Sequence, residues 1–335
     1  MNSIRLSICI STLNRAAYIG ETIESILAQL TDEVEVIILD GTSTDNTAET
    51  VKSYEARCSG LRYVRLEKPE GFDEKYCMLA ELARGEYCWM FADDDLLKPG
   101  AVAAVLEATR RNYSLIIVNA EVRNKDLSVR LQARRVNAEE DRVYAPKAPD
   151  WNHLLADTGV YLTYIGAIVM KRQVWNQRER AKYFGTLFVH MGVIYQSPLP
   201  GDTLVMAEPW IVIRYGNALW TPQSFEIWMF KFPELIWSFP GFADWAKECV
   251  ERREPWRSWL RLLTARAMGH YSLQEYQRWI KPRLANSPYK LLCCAIAKAP
   301  AAPLNLLARL LVKYVFRKSP SMTLHDLERW QQAPT

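Results

Sequence analysis

The segment Gly85-Glu-Tyr-Cys-Trp-Met-Phe-Ala-Asp-Asp-Asp-Leu-Leu-Lys-Pro-Gly100 runs from an apolar stretch, Tyr87 to Ala92, into three consecutive carboxylates, Asp93, Asp94 and Asp95, and then into a Pro-Gly turn. A short apolar run bounded by turn residues reads as a buried strand. The end of that strand would present acids into a cleft. Clustered carboxylates repel one another, so the arrangement costs stability unless a cation sits beside them. Hard divalent metals with oxygen ligands, which also bind substrate phosphates, fit that need. The competing reading is an acidic loop or a helix N-cap, where Asp is common.

The flanking sequence repeats the strand pattern at residues 6–10 (Leu-Ser-Ile-Cys-Ile) and 34–39 (Val-Glu-Val-Ile-Ile-Leu). Between them, Ile19, Ile23, Ile26, Leu27 and Leu30 recur at helical spacing. Further helices are expected over 47–57, 74–83 and 101–110, and further strands over 61–66, 115–119 and 161–170, the last with Gly166 inside it. Strands alternating with helices at this interval predict an α/β fold with a mostly parallel sheet. Ligands in such sheets sit beyond the carboxyl ends of the strands. Asp40 and the Asp93–Asp95 cluster both follow strands, so one cleft should hold them. Beyond about residue 216 the chain turns helical and Trp-rich, with seven Trp from Trp220 to Trp279.

At 335 residues, 49% of them hydrophobic, the chain can form one large domain or two unequal ones around a sizeable core. The net charge of +4 hides an asymmetry: Pro255 to Leu324 holds 12 Lys/Arg against a single acid, Glu275. Seven cysteines in irregular spacing, with no CxxC pair, point to a reducing, cytosolic setting. The N-terminus enters a strand-like run at once, so no cleavable leader is expected. No uncharged apolar run reaches the ~18 residues of a spanning helix, which predicts a protein that is soluble or lies on a membrane. Between Lys281 and Lys318 there are eight Lys/Arg and no acid. There Leu304, Leu307, Ala308, Leu311 and Val315 share one helical face, opposite Arg309, Lys313 and Arg317. Such a helix is expected to lie in the plane of an anionic membrane surface. The alternative is a packed helix with a solvated charged face. No recognised motif supports nucleic acid as a partner.

Four segments together resemble the nucleotide-binding half of a family 2 glycosyltransferase: Ser7-Ile-Cys-Ile-Ser-Thr12-Leu-Asn14-Arg15, Asp40-Gly-Thr-Ser43-Thr-Asp45-Asn-Thr, Gly85-Glu-Tyr and Asp93-Asp-Asp95. The resemblance covers about residues 4–125. Gly71-Phe-Asp73-Glu-Lys75-Tyr, followed by Gly85-Glu-Tyr-Cys-Trp-Met-Phe, is similar to a narrower group that includes the abequosyltransferase-like enzymes of bacterial O-antigen assembly. It implies a GT-A fold, Rossmann-like and mostly parallel, over residues 1–215, followed by a helical region, 216–335, for acceptor or membrane-surface contact. It also implies a nucleotide-sugar donor and, in that pathway, a polyprenyl-diphosphate-linked saccharide acceptor at the cytoplasmic face. Thr12 and Arg15 would border the nucleotide, Asp40 would accept a hydrogen bond from the base, and Asp93 would bind the ribose or the metal shell. Asp95 would hold Mg²⁺ or Mn²⁺ against the diphosphate, stabilising the charge on the departing group. Asp94, Asp73 and Lys75 join the donor site in this reading. Asp94 could instead turn away, as strand neighbours alternate faces, and Asp73 with Lys75 could form a solvated pair. Asp45 reads as a cap for the helix starting near Asn46. Ser11 stands where the family usually has Pro, and Leu13 where it often has Tyr.

The chain departs from the family downstream. Many inverting relatives carry a Glu-Asp pair whose Asp is the general base; here Phe188-Val-His190-Met-Gly192-Val replaces it. His190 could be that base, since an imidazole pKa near ~6.5 suits the task. It could also be a metal ligand, or a core histidine with one hydrogen bond. Asp157, then His153, Asp202 and Glu208, are weaker candidates for the base. Two other functions compete: a nucleotidyltransferase-type enzyme, which would want a Gly-rich loop after the first strand, and a catalytically silent nucleotide-sugar-binding subunit.

Overall fold

A computed structural model of the chain describes residues 4–217, 223–284, 287–317 and 321–329. Trp220 and Lys318 of the sequence reading lie outside them. The described chain divides into two compact units, each taken by itself. The first comprises the residues up to Val122, Ala133–Arg214 and Phe239–Val250; the second comprises Arg123–Gln132, Tyr215–Ser238 and the residues from Glu251 onward. Neither unit is continuous in sequence: Arg123–Gln132 belongs to the second and Phe239–Val250 to the first. Phe239–Val250 joins the first unit because its aromatic rings pack there: Phe242 stacks on Trp151 at 5.1 Å, and Phe239 lies 5.8 Å from Tyr195.

The first unit opens with β1 (Leu6–Thr12), α1 (Ile19–Leu27), β2 (Val34–Asp40), α2 (Thr47–Glu55), β3 (Leu61–Arg65), α3 (Phe72–Leu82) and β4 (Tyr87–Phe91). It continues through β5 (Leu96–Leu97), α4 (Ala101–Arg110) and β6 (Leu115–Arg123). After β7 (Arg130–Gln132), part of the second unit, come β8 (Arg142–Tyr144), α5 (Asp150–Thr158), β9 (Ile168–Lys171), α6 (Arg172–Gln177), α7 (Val189–Tyr195) and β10 (Thr203–Arg214). Every residue of β1, β2 and β4 is buried. Strands covered on both faces by helices need apolar residues at each position, which explains runs such as Val-Glu-Val-Ile-Ile-Leu.

The sheet order is β3-β2-β1-β4-β9-β6-β10-β5. β1 runs parallel to both β2 and β4, with Thr12 opposite Asp40 and Ile10 opposite Phe91. β9 is antiparallel to β4 and β6, so the sheet is mixed. Strand order reverses between β1 and β4, and the crevice beyond their carboxyl ends is where such folds bind ligands. Two glycines set this frame. A Cβ on Gly85 would sit 2.7 Å from the Ser7 amide nitrogen, so only glycine lets the chain enter β4 against β1. Gly100 has φ +89, the left-handed turn that starts α4.

The sequence pattern over 161–170 reads as one strand, but the chain makes helical turns at Tyr161–Thr163 and Ile165–Ala167 before β9. Side-chain hydrogen bonds outweigh β-propensity there. Tyr161 Oη donates to the Val118 carbonyl at 2.6 Å, and Trp89 Nε1 donates to the Gly166 carbonyl at 2.8 Å.

The second unit is built mainly of helices, among them Phe232–Ser238, Trp259–Ala267, Tyr289–Lys298 and Ala301–Leu310. Its core gathers Phe225, Phe230, Trp256, Tyr271, Tyr276 and Ile296, with Phe225 and Tyr271 stacked at 5.0 Å.

Candidate functional site

The loops after β1 and β2 are fastened to each other. The Asn14 amide donates to Ser43 Oγ at 2.9 Å, the Arg15 amide to Thr47 Oγ1 at 2.8 Å and the Ala16 amide to Asp45 Oδ2 at 3.1 Å. Asp45 Oδ1 also accepts from the Thr47 amide at 3.0 Å, inside the first turn of α2. Asp45 therefore does the capping expected of it and clamps the neighbouring loop as well. Asn14 and Thr42 hold φ +54 and +76. A β-branched residue there is strained by about 1–3 kcal/mol, a cost the loop bonding sustains.

Asp40 is fully buried. Its Oδ1 accepts from the Ser43 amide at 2.8 Å and its Oδ2 from Tyr63 Oη at 2.6 Å. Each carboxylate oxygen has a second lone pair, so the oriented group can still accept from a ligand. Burial, with the Asp40 hydrogen bond and charge adding to it, pushes the Tyr63 hydroxyl far above its usual pKa, so it stays a donor.

The acidic triplet follows β4 as a turn rather than as more strand, and side-chain alternation does not apply to it. Arg15 reaches Asp93 Oδ1 at 3.4 Å and Asp94 Oδ2 at 3.7 Å, so Asp94 faces the same guanidinium as Asp93 and is not turned away. Asp95 Oδ2 accepts from Tyr164 Oη at 2.6 Å, and its Oδ1 accepts from the Arg214 amide at 2.7 Å. Burial and then the Asp94 charge raise Asp93 to about 7, against the pull of Arg15, and raise Asp95 well above the carboxylate range. The Thr12 hydroxyl lies near Asp93 and eases its charge, yet outside regular hydrogen-bond geometry.

The triplet is thus oxygen-rich, with the Arg15 guanidinium set against two of its three carboxylates. Its donor set fits Mg²⁺ or Mn²⁺. Among the described residues no group of three or more His, Cys, Asp and Glu converges as a complete metal site. One or two of the aspartates would hold the ion, leaving the rest of its shell to phosphate oxygens.

Lys75, on α3, is buried with its Nζ 3.0 Å from where a Cβ on Gly41 would stand. Burial lowers its pKa, and the charges of Asp93 and Asp40 oppose that shift. Asp73 is also buried, and its two oxygens accept from the Leu187 amide at 2.9 Å and the Val189 amide at 3.0 Å. The pair is therefore not solvated: Lys75 enters the cleft, whereas Asp73 caps α7 and fixes its approach loop.

His190 matches the core alternative. It is 1% exposed, its Nε2 lies 2.8 Å from the Leu162 carbonyl, and Nδ1 has no partner. Burial lowers its pKa to about 4. With Nε2 engaged by the Leu162 carbonyl and Nδ1 enclosed without a partner, the ring sits as a core histidine. Asp157 accepts from Tyr144 Oη at 2.6 Å. Tyr144 pairs with Thr203 at the start of β10, whereas Arg214 of the acidic site ends that strand, so Asp157 does not join the cluster. Of the weaker candidates, His153 packs its ring on Trp245 at 5.3 Å.

Sequence reading missed Arg214 and Tyr164. Arg214 Nε donates to the Asp94 carbonyl at 2.9 Å, Nη2 bonds Glu21, and the guanidinium lies 5.3 Å from the Tyr18 ring. It ties α1 to the acidic turn. Both residues come from remote segments whose local sequence carries no motif.

Residues 7–173, about half of the chain, match the family model for glycosyl transferase family 2. The abequosyltransferase RfbV of Salmonella typhimurium is 26% identical over 238 residues, covering 66% of this chain and 68% of its own. Residues 1–349 of Staphylococcus aureus TarS, solved with UDP-GlcNAc, superpose with a TM-score of 0.57 at 16% identity, over 98% of this chain and 92% of that one. A Pyrobaculum calidifontis mannosyltransferase, solved with GDP-Man and Mn²⁺, gives a TM-score of 0.54 at 15% identity, over 98% and 86%. Both solved structures are likenesses of fold, the GT-A arrangement of mixed sheet and flanking helices. With its switch-point crevice and acidic turn inside the matched segment, the chain carries a family 2 domain and is a glycosyltransferase.

Proposed function

We propose that the enzyme is metal-dependent and moves a sugar from a nucleotide-sugar donor to a polyprenyl-diphosphate-linked saccharide, with inversion, in the assembly of a bacterial surface polysaccharide of O-antigen type. The observation that carries this reading is the convergence of Thr12, Arg15, Asp40, Lys75 and Asp93–Asp95 at the carboxyl ends of β1, β2 and β4. Asp40 reads the base, Asp93 and Asp94 with Arg15 border the ribose and diphosphate, and Asp95 holds the cation. Mg²⁺ or Mn²⁺ would offset the negative charge on the departing nucleoside diphosphate. The acceptor hydroxyl oxygen bonds to the anomeric carbon as the bond to the diphosphate oxygen breaks; the nucleoside diphosphate leaves with the bonding pair, and the hydroxyl proton passes to solvent. Likeness to the GalNAc(5)-diNAcBac-PP-undecaprenol beta-1,3-glucosyltransferase of Campylobacter jejuni supports a lipid-linked acceptor. The basic helices of the second unit support peripheral contact with an anionic membrane surface, on the inner face of the cytoplasmic membrane.

Purified protein with Mn²⁺ and UDP-, GDP-, CDP- or dTDP-sugars should turn over one donor class. Turnover should stop in EDTA and in a folded Asp95→Ala variant. Wild-type turnover by Asp95→Ala would refute the metal role.

A further inference from the structure

The helix Ala301–Val315 is mounted with its polar residue inward. Asn305 is 2% exposed, and its Nδ2 donates to the Ala267 carbonyl at 3.0 Å and the Leu327 carbonyl at 2.8 Å. Leu304 and Ala308 are half-buried beside it. Leu306, Leu307, Leu310 and Tyr314 stand on the opposite side, 45–64% exposed. The preceding helix, Tyr289–Lys298, meets this one at 91°. It buries Cys293, Ile296 and Ala297 in the core and leaves Leu291 78% exposed. A helix that only packed on its unit would turn its leucines in and its asparagine out.

We infer that these two bent helices form an in-plane anchor whose outward leucines enter the hydrocarbon of a lipid bilayer, while Lys313, beside the Tyr314 ring, and Arg317, just beyond the helix end, stay at headgroup level. The inference rests on the membrane contact proposed above and deepens it from surface adsorption to partial immersion. Charge identifies the occupant. The segment from Lys281 to Lys318 carries eight Lys/Arg and no acid, which suits anionic headgroups and would repel a second copy of itself. Length excludes a straight span by one helix. The bent pair together meets the length and composition of a broken span or re-entrant loop, and the 91° bend with Cys293, Ile296 and Ala297 held in the core favours the in-plane reading. At ~1.5 Å per residue Ala301–Val315 is about 22 Å long, short of the ~30 Å hydrocarbon layer. No single helix among the described residues is long and apolar enough to cross. Long basic side chains flanking an apolar face extend to the interface from a helix lying flat.

The test is co-sedimentation of full-length protein with vesicles of phosphatidylcholine alone or with added phosphatidylglycerol, at low salt and at about 0.5 M NaCl, where surface charge is screened. The wild type should bind both compositions, more tightly to the anionic one, and should stay bound in high salt. Leu306→Glu/Leu310→Glu should lose about 100-fold in partitioning to phosphatidylcholine, the loss expected for two inserted leucines. Both side chains are exposed, so the variant should keep the wild-type melting temperature and donor hydrolysis, which separates failure of the anchor from failure of the transferase reading. Complete release of the wild type by salt would overturn immersion and leave electrostatic adsorption. Equal binding by the variant would overturn it too. So would a wild-type dimer that the variant breaks without changing vesicle binding, because a second copy would then cover the face. Absence of binding to any vesicle would remove the membrane contact altogether.

Discussion

Replacing His190 by Gln tests whether this residue is core or catalyst. The imidazole is buried neutral with its pKa lowered to about 4, against ~6.5 in an unfolded chain. Folding therefore opposes its protonation. The stability that neutral His190 contributes is fully present above pH ~6.5 and is lost as pH falls through about 4. At ~1.36 kcal/mol per pH unit, the gap amounts to about 3 kcal/mol. Gln keeps a donor for the Leu162 carbonyl and cannot charge. It should cost on the order of 1–2 kcal/mol at pH 7 through lost packing, and near pH 4, where the wild type has given up about 3 kcal/mol, the variant should be the more stable protein by about 1–2 kcal/mol. Urea unfolding of both proteins at a series of pH values reads this directly. Donor turnover of the variant should keep the wild-type pH profile above pH ~5, because a group titrating near 4 controls no limb in that range. Parallel stability curves, or the disappearance of a limb of the rate profile in the variant, would refute the burial argument and restore His190 as the base.

Gly85→Ala should destabilise the first unit by about 1–3 kcal/mol, since its methyl group would press on the Ser7 amide at 2.7 Å; thermal melting measures this. Arg214→Ala should cost about 3 kcal/mol and weaken nucleotide binding, whereas Arg214→Lys recovers part of the stability; wild-type affinity in the Ala variant would count against the clamp on Asp94. Asp326, raised to about 6 by burial despite the Tyr215 hydroxyl at 2.8 Å, favours its neutral form in the fold. Its contribution is fully present below pH ~3.8 and lost as pH rises through about 6, so Asp326→Asn should be more stable than wild type at pH 8 by about 1–2 kcal/mol, allowing for solvent screening.

The first unit was largely readable because its strands are buried on both faces and its turns carry Gly, Pro and Asp at positions with few alternatives. Asp40 and the Asp93 triplet could be placed together because each closes a strand at the same edge of a parallel sheet. What could not be read was set by distant partners. Tyr164 and Arg214 are ordinary residues in their own segments, and only the fold brings them to Asp95. The assignments to His190 and Asp157 rested on residue type, which says nothing of enclosure; His190 is sealed under the Leu162 carbonyl, and Asp157 is tied to Tyr144. Residues 301–315 show the same limit. Their spacing gave an apolar side, but only the burial of Asn305 showed which side the unit covers.

Calorimetric titration of UDP, GDP, CDP and dTDP into the wild type and into Asp95→Ala, each with Mn²⁺ and with EDTA, addresses the acidic turn most directly. One nucleoside diphosphate should bind the wild type at least ~10-fold more tightly with Mn²⁺, a difference of about 1.4 kcal/mol, and the advantage should vanish in Asp95→Ala. Equal binding with and without metal in the wild type would contradict the account.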